Sequence, residues 1–300
     1  MSLALTYGGV LSVYEGDNPK FLYESLHTLI HAQSRSLDAC VGIIEGNISA
    51  ALELVVAQFP EIRWIRIPRQ VEAPFSFGLP AALNAGIEAV GTDVVLKVDT
   101  DDVYCANRVK WTAEAFESDS ELVLHGGQVI EWDETYQRPI GDRLVPESHQ
   151  DIVKYCTWRN PFNGPTVAFK RKEILELGGF PVVGANEDYC LWALILLHGY
   201  RSSNSPEIYV HWRGGENLVK RRSNPRYRIG EKQALDYLKQ IGLYTTHQYW
   251  VHVVTKNLIR RLPLRWNIYI YSLLRSKSQI QPAPDELIAA RDQHQRIQTV

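Results

Sequence analysis

Val94-Val95-Leu96-Lys97-Val98-Asp99-Thr100-Asp101-Asp102 runs from a short apolar segment directly into three carboxylates within four residues. An apolar, β-branched run of this kind reads as a strand buried on both faces. Open α/β sheets place their ligands beyond the carboxyl ends of such strands, where these acids emerge. Carboxylates so closely spaced repel one another and call for a positive partner. A hard divalent cation held by oxygen ligands supplies one and leaves positions free for a diphosphate. The competing reading is a solvated acidic turn capping the next helix.

Upstream of this stretch, β-branched runs alternate with helical patterns, which predicts a mostly parallel sheet covered by helices. Strands are expected at Gly9 to Val13, Ala39 to Glu45, Ile62 to Ile67 and Asp93 to Val98. Helices are expected at about Pro19 to Gln33, Ser49 to Phe59 and Leu79 to Val90, the first opened by a cap and proline, Asn18-Pro19. Downstream the pattern becomes mixed: a helix from Arg108 to Phe116, strands at Leu122 to Ile130, Thr166 to Lys170 and Glu207 to Val210, and a buried helix over Glu187 to His198. From Pro225 the chain reads as helical and ends in a polar tail. The expected fold is therefore α/β, a Rossmann-like mixed sheet over residues 1–222 followed by a helical, basic region over 223–300.

Three hundred residues with 45% apolar content suffice for one sizeable core and its appendage. The four cysteines, Cys40, Cys105, Cys156 and Cys190, form no CxxC pair, so a reducing cytosol fits better than a disulfide or zinc framework. No apolar run reads as a signal peptide or a membrane span. The net charge of -2 hides an asymmetry. Residues 1–210 carry 16 Lys and Arg against 28 Asp and Glu, whereas residues 211–277 carry 14 against 3. A basic segment of that kind faces an anionic surface or phosphate.

The order of motifs resembles the family 2 glycosyltransferases, whose catalytic domain has the GT-A fold. The similarity covers residues 7 to about 222, nearest to the subgroup building bacterial exopolysaccharide and O-antigen units, including amylovoran-type galactosyl- and glucosyltransferases. It is carried by Leu11-Ser12-Val13-Tyr14, Phe21 to Gln33, Gly78 to Asn84, Asp99 to Asp102, Arg159-Asn160-Pro161-Phe162-Asn163, Gly178-Gly179-Phe180 and Glu187-Asp188-Tyr189.

The resemblance implies that Ser12 and Tyr14 line a uracil pocket, that Glu45 accepts from the base or its surroundings, and that Asp99 approaches the ribose or base side and is a candidate metal ligand. Asp101 would ligate Mn²⁺ or Mg²⁺ with support from Asp102, and Asp188 would be the catalytic base with Glu187 as helper. The chain departs from the family at Glu45-Gly46-Asn47, where Asp-Asp-Gly-Ser is usual, and in the longer, more apolar segment 70–77. Other candidates have two readings each. Arg69 is a diphosphate contact or a surface arginine. His211 is a metal ligand or a structural histidine, and Trp192 an acceptor-stacking ring or a core residue. Gly178 and Gly179 mark a ligand or a helix C-cap.

Lys220-Arg221-Arg222 stands where the subgroup has a basic stretch, a loop over the donor diphosphate or a solvated face. Residues 250–275 mix aromatics, aliphatics and arginines, and no acid occurs between Lys256 and Lys277. Amphipathic helices of that composition lie among lipid headgroups. The alternative is packing on the catalytic domain or on a second subunit, as in a homodimer. No nucleic-acid module is present.

The expected activity is inverting transfer of a hexose from a UDP-sugar to a polyprenyl-diphosphate-linked saccharide, by a cytoplasmic enzyme peripheral on the inner face of the membrane. A sugar nucleotidyltransferase lacks support, because Gly8-Gly9-Val10-Leu11-Ser12 is not a glycine-rich phosphate loop with arginine. A catalytically inert membrane scaffold with the same sheet is the non-enzymatic alternative. Walker A, GxGxxG and GxSxG motifs are missing, which removes kinase, dehydrogenase and hydrolase readings.

Overall fold

The apolar runs expected as parallel strands occupy one half of a twisted sheet. In this computed structural model, residues 4–69, 78–214, 224–262, 266 and 284–298 are described. β1 (Tyr7–Tyr14) lies between β2 (Ala39–Glu45) and β4 (Val94–Lys97), and β3 (Arg63–Ile67) flanks β2, all in parallel register. Successive β1 side chains point to opposite faces, so each face takes its own layer of helices. Val10 packs with Ala82, Leu83 and Ile87 of α3 (Gly78–Val90). Leu11 and Val13 pack with Leu22, Leu26 and Leu29 of α1 (Pro19–Ile30) and with Leu52 and Val55 of α2 (Ala50–Val56). Asn18 caps α1 by accepting from the N–H groups of Lys20 and Phe21, with Pro19 in the first turn.

Beyond β4 the sheet turns mixed. β8 (Ala168–Lys170) is antiparallel to β4 and to the first half of β6 (Leu122–Trp132); β7 (Pro139–Arg143) is antiparallel to the second half. β9 (Arg201–Arg213) runs parallel to β6 and pairs antiparallel with the two-residue β5 (Val103–Tyr104). The sequence reading placed only Glu207 to Val210 in β9. Its first half, Arg201 to Pro206, is polar and holds a proline, but a register shift against Gly126 and Gln128 accommodates it. The remaining helices of this part are α4 (Arg108–Ser118), α5 (His149–Cys156), α6 (Arg171–Glu176) and α7 (Glu187–Leu197).

The C-terminal region packs onto this body. α8 (Pro225–Gln240) crosses the turn before α7 so closely that Gly230 meets Gly184: a Cβ on Gly230 would stand 2.4 Å from the carbonyl carbon of Gly184. Tyr227 Oη lies 3.2 Å from Asn186 Oδ1, and Gln233 accepts from the Gly184 N–H at 3.1 Å. Packing contacts therefore cross the expected 222/223 boundary. α9 (Thr246–Arg261) starts with a capping box between Thr245 and Gln248.

The expected polar tail is in fact α10 (Asp285–Gln298) over residues 285–298. Its few apolar residues suffice, because Leu287 is fully buried beside Val103, Ile130, Trp132 and Tyr136. Glu286 accepts from the Ala106 N–H at 2.9 Å, and Arg291 Nε donates to Glu24 Oε1 at 2.7 Å. Residues 70–77, Lys220-Arg221-Arg222 and, within and beyond the basic aromatic segment, 263–283 apart from Trp266 lie outside the described residues.

The Gly184–Gly230 contact fixes the entry to α7. Gly230→Ala is expected to cost about 1–3 kcal/mol by overpacking against backbone, read as a lower denaturation midpoint. An unchanged midpoint would show that the two segments separate at no cost.

Candidate active site

The acidic loop after β4 is held from behind by residues of four elements. Tyr104 Oη donates to the Asp99 carbonyl at 2.6 Å and lies 2.8 Å from the Asp99 amide, while Ser25 Oγ donates to the same carbonyl at 2.9 Å. Fully buried Arg108 donates to the Lys97 carbonyl at 2.7 Å and stacks on the Tyr104 ring. Arg213, at the end of β9, binds the loop at two points. Its N–H donates to Asp102 Oδ1 at 2.9 Å and its Nε to the Asp101 carbonyl at 2.8 Å. Its guanidinium lies over the Phe21 ring and donates to buried Glu24 at 2.7 Å, so Glu24 joins Arg213 to Arg291 of α10. Removing one member of such a buried charge set strands the others.

Carboxylates accumulate in front of this support. Asp102 is fully buried, its Oδ2 has no hydrogen-bond partner among the described residues, and burial with the charges of Asp101 and Asp99 holds its acid well above the ordinary range. Asp17, after β1, is pushed up to about 7 by burial and by the nearby charges of Asp101 and Glu45, against a stabilising bond from the Tyr14 N–H. Ser12 Oγ donates to Glu45 Oε1 at 2.6 Å. Glu45 reaches across the start of α3, where a Cβ on Gly78 would sit 2.1 Å from Oε2. Tyr14 is exposed beneath the Arg69 guanidinium, which also lies 3.6 Å from Glu15. The ends of β1, β2 and β4 thus bring Ser12, Tyr14, Glu45, Asp99 and Asp101 to one edge of the sheet, with Asp17 among them.

Lys97 connects this edge to the second motif. Nearly fully buried, it forms an ion pair with Asp99. Burial pulls its pKa down, but the charges of Asp99, Asp188 and Glu187 outweigh that and raise it. Glu187 is in turn pushed up to about 7 by burial and by Asp188, with Asp99 adding to the shift and Lys97 opposing it.

Asn186, in the left-handed conformation with φ of 58°, turns the chain into α7 and places both acids in its first turn. Asp188 Oδ2 accepts from Asn160 Nδ2 at 3.1 Å and Oδ1 from the Tyr189 N–H at 2.6 Å. A Cβ on Gly164 would stand 3.0 Å from Asp188 Oδ2. The carboxylate is oriented by these bonds, as a proton acceptor must be.

Four candidate residues take the structural one of their two readings. Trp192 is fully buried among Phe162, Phe169 and Phe180, so it is a core residue and stacks on no acceptor sugar. Gly178 and Gly179, with φ of 87° and 76°, close α6, and Asn84 clamps the turn through both backbone groups of Phe180. His211 does not join the carboxylates. Its Nδ1 accepts from Trp132 Nε1 at 3.0 Å, and burial lowers its pKa to about 4.

Asp17, Lys97, Arg108, Arg213 and Asn160 were not singled out as site residues by the sequence reading. Asn160 stood within a quoted motif and Lys97 adjoined the acids, but neither carries a signal of orientation. The compensation ascribed to a divalent ion is supplied in part by Lys97 and Arg213.

The oxygen donors of Asp99 and Asp101, the stranded Asp102 oxygen and the mutual repulsion of the acids fit a hard divalent cation. No three His, Cys, Asp or Glu side chains among the described residues are grouped to hold a metal by themselves.

No family model matches the chain. The amylovoran biosynthesis glycosyltransferase AmsE of Erwinia amylovora is 30% identical over 267 residues, 87% of this chain and 96% of AmsE. The UDP-Gal:alpha-D-GlcNAc-diphosphoundecaprenol beta-1,3-galactosyltransferase of Escherichia coli is 29% identical over 268 residues, 87% of this chain and 94% of that enzyme. Among solved structures, the mannosyltransferase PcManGT of Pyrobaculum calidifontis, in complex with GDP-Man and Mn²⁺, superposes with a TM-score of 0.57 at 15% identity. The match covers 100% of this chain and 82% of that one. The mixed sheet, its acidic loop and these relatives place the chain among the GT-A-fold glycosyltransferases of bacterial polysaccharide synthesis.

Proposed function

We propose that the protein transfers a hexose, galactose or glucose, from a UDP-sugar to a saccharide carried on a polyprenyl diphosphate, with inversion at the anomeric carbon. The observation that carries this reading is the convergence of two carboxylate groups on Lys97: the acidic loop through Asp99, and the Glu187–Asp188 pair of α7. The Escherichia coli relative's name states the same donor and acceptor classes.

The donor nucleoside would occupy the edge formed by Ser12, Tyr14 and Glu45, with Arg69 at its rim. Asp99 and Asp101 would hold Mn²⁺ or Mg²⁺, which when bound stabilises the negative charge of the departing diphosphate. Asp188, held by Asn160 and the Tyr189 N–H, accepts the proton of the acceptor hydroxyl. The hydroxyl oxygen then bonds to the anomeric carbon, and the bond from that carbon to the diphosphate oxygen breaks, its electron pair leaving with UDP. Glu187, raised toward neutrality, adds a proton-holding group beside the base.

Contact with the membrane is peripheral in this reading, since no helix among the described residues is long and apolar enough to cross it. On α9, Trp250, Val254 and Leu258 recur at intervals of four and are 57%, 53% and 62% exposed. Leu262 and Trp266 continue the spacing and are also exposed. Such an apolar stripe, followed by the arginines of the basic segment, suits the headgroup layer of an anionic inner leaflet.

Asp188→Asn is expected to lower kcat by about 10²- to 10⁴-fold, the usual contribution of a general base, with little change in KM for the UDP-sugar. Transfer at the original rate would remove Asp188 from the chemistry. For the membrane face, Val254→Asp with Leu258→Asp should weaken sedimentation with phosphatidylglycerol vesicles more than tenfold, since each buried aliphatic side chain contributes about 1.5–3 kcal/mol. Undiminished vesicle binding would show that α9 is not the contact.

A further inference from the structure

Beside Asp188, a small recess of about 100 Å³ opens between β7 and α5. Arg143, Tyr155, Arg159 and Asn160 are among its lining residues, and Asn160 is the residue that holds the Asp188 carboxylate. The lining carries two arginines and one acid, Asp142. Arg143 closes β7, lies over the Trp212 ring at 5.9 Å, and has its carbonyl fixed by buried Asn163 at 3.1 Å. Arg159 lies over the Tyr155 ring at 5.9 Å and has no carboxylate partner among the described residues. Planar guanidinium groups presented in this way match phosphate oxygens.

We infer that Arg143 and Arg159 bind the diphosphate of the lipid-linked acceptor and so set the preference for a diphosphate-linked sugar. The inference rests on the transferase reading above. Two observations favour the acceptor's diphosphate over the donor's. The donor edge lies at the ends of β1, β2 and β4, whereas the recess lies at β7 and α5, past β8 and beside β6 in the sheet order. The recess also adjoins an exposed apolar ring: Trp158, next to Arg159, is 58% exposed, and it lies 5.8 Å from the ring of His252 on the inner face of α9. His252 in turn bonds the Thr157 carbonyl at 3.0 Å. A diphosphate held there would have its sugar toward Asp188 and its lipid toward the exposed Trp158 ring.

The test compares two acceptors carrying the same sugar and alkyl chain, one joined through a diphosphate and one joined directly. Wild type should use the diphosphate acceptor at lower KM. Arg143→Gln and Arg159→Gln should each raise that KM roughly tenfold, in line with the loss of one charged hydrogen bond. Neither should alter KM for the UDP-sugar or for the directly linked acceptor, and the lysine variants should recover part of the loss. Equal losses on both acceptors would overturn the inference. A rise in KM for the UDP-sugar alone would also do so, assigning the arginines to the donor.

Calorimetric titration of an alkyl diphosphate into UDP-saturated protein separates this inference from the transferase reading. Binding by wild type that weakens in the double variant supports the recess even if neither acceptor is glycosylated, an outcome that would sink the transferase reading alone. Identical binding by wild type and a double variant with an unchanged unfolding temperature would sink the recess while leaving the transferase reading in place.

Discussion

Asp17, Glu45, Asp99, Asp101 and Asp102 are brought within electrostatic reach of one another at the carboxyl ends of the parallel strands. Left alone, this concentration of negative charge would push the loop apart, and the rest of the structure is arranged around resisting it. Lys97 pairs with Asp99 from within β4, and Arg213 grips Asp101 and Asp102 from β9. Buried Glu24 then ties Arg213 to α10, so the C-terminal end of the chain contributes to the rigidity of a loop formed by its first third. The protein's own cations hold the loop in place, yet Asp17 and Asp102 keep raised pKa values. Remaining acid character of this sort is what a divalent ion and a diphosphate would satisfy together.

The same economy of contacts sets the second motif. α7 is apolar around most of its circumference and is locked into the core by Trp192 and Leu191, so it cannot rotate to adjust its first turn. Orientation of Glu187 and Asp188 is left to the turn before it: Asn186 in its left-handed conformation, the Gly184–Gly230 contact with α8, and the Asn160 amide. Preorganised dipoles and charges of this kind need no rearrangement when charge develops during reaction. Within the basic C-terminal region, α8 supports the motif, while α9 offers an exposed apolar stripe.

Much of the fold was legible because its signals are local. The four parallel strands and three intervening helices follow from apolar periodicity, and Asn18-Pro19 marks the start of α1 where the structure has it. What was missed depends on distant partners. β5 has two residues and exists because Val103 and Tyr104 find His211 and Val210 on β9. α10 looked like a polar tail, since only tertiary packing gives Leu287 and Arg291 their roles. In the site, Asp188 and the acidic loop were visible as motifs, whereas no local pattern marks Asp17 or Arg213, whose roles come from distant partners. Trp192 could be assigned only once the rings around it were in place, and His211 only once Trp132 was seen to donate to it.

The central claim is that the carboxylates beyond β4 collect a divalent cation so that a nucleoside diphosphate can bind and leave. Thermal unfolding with UDP, with Mn²⁺ and with both measures it directly. Ligand at about 100 times its Kd stabilises a protein by about 2.7 kcal/mol. The account predicts a large upward shift only when UDP and Mn²⁺ are present together, abolished by Asp101→Ala. An equal shift with UDP in the presence of a chelator, or no shift under any condition, would contradict it.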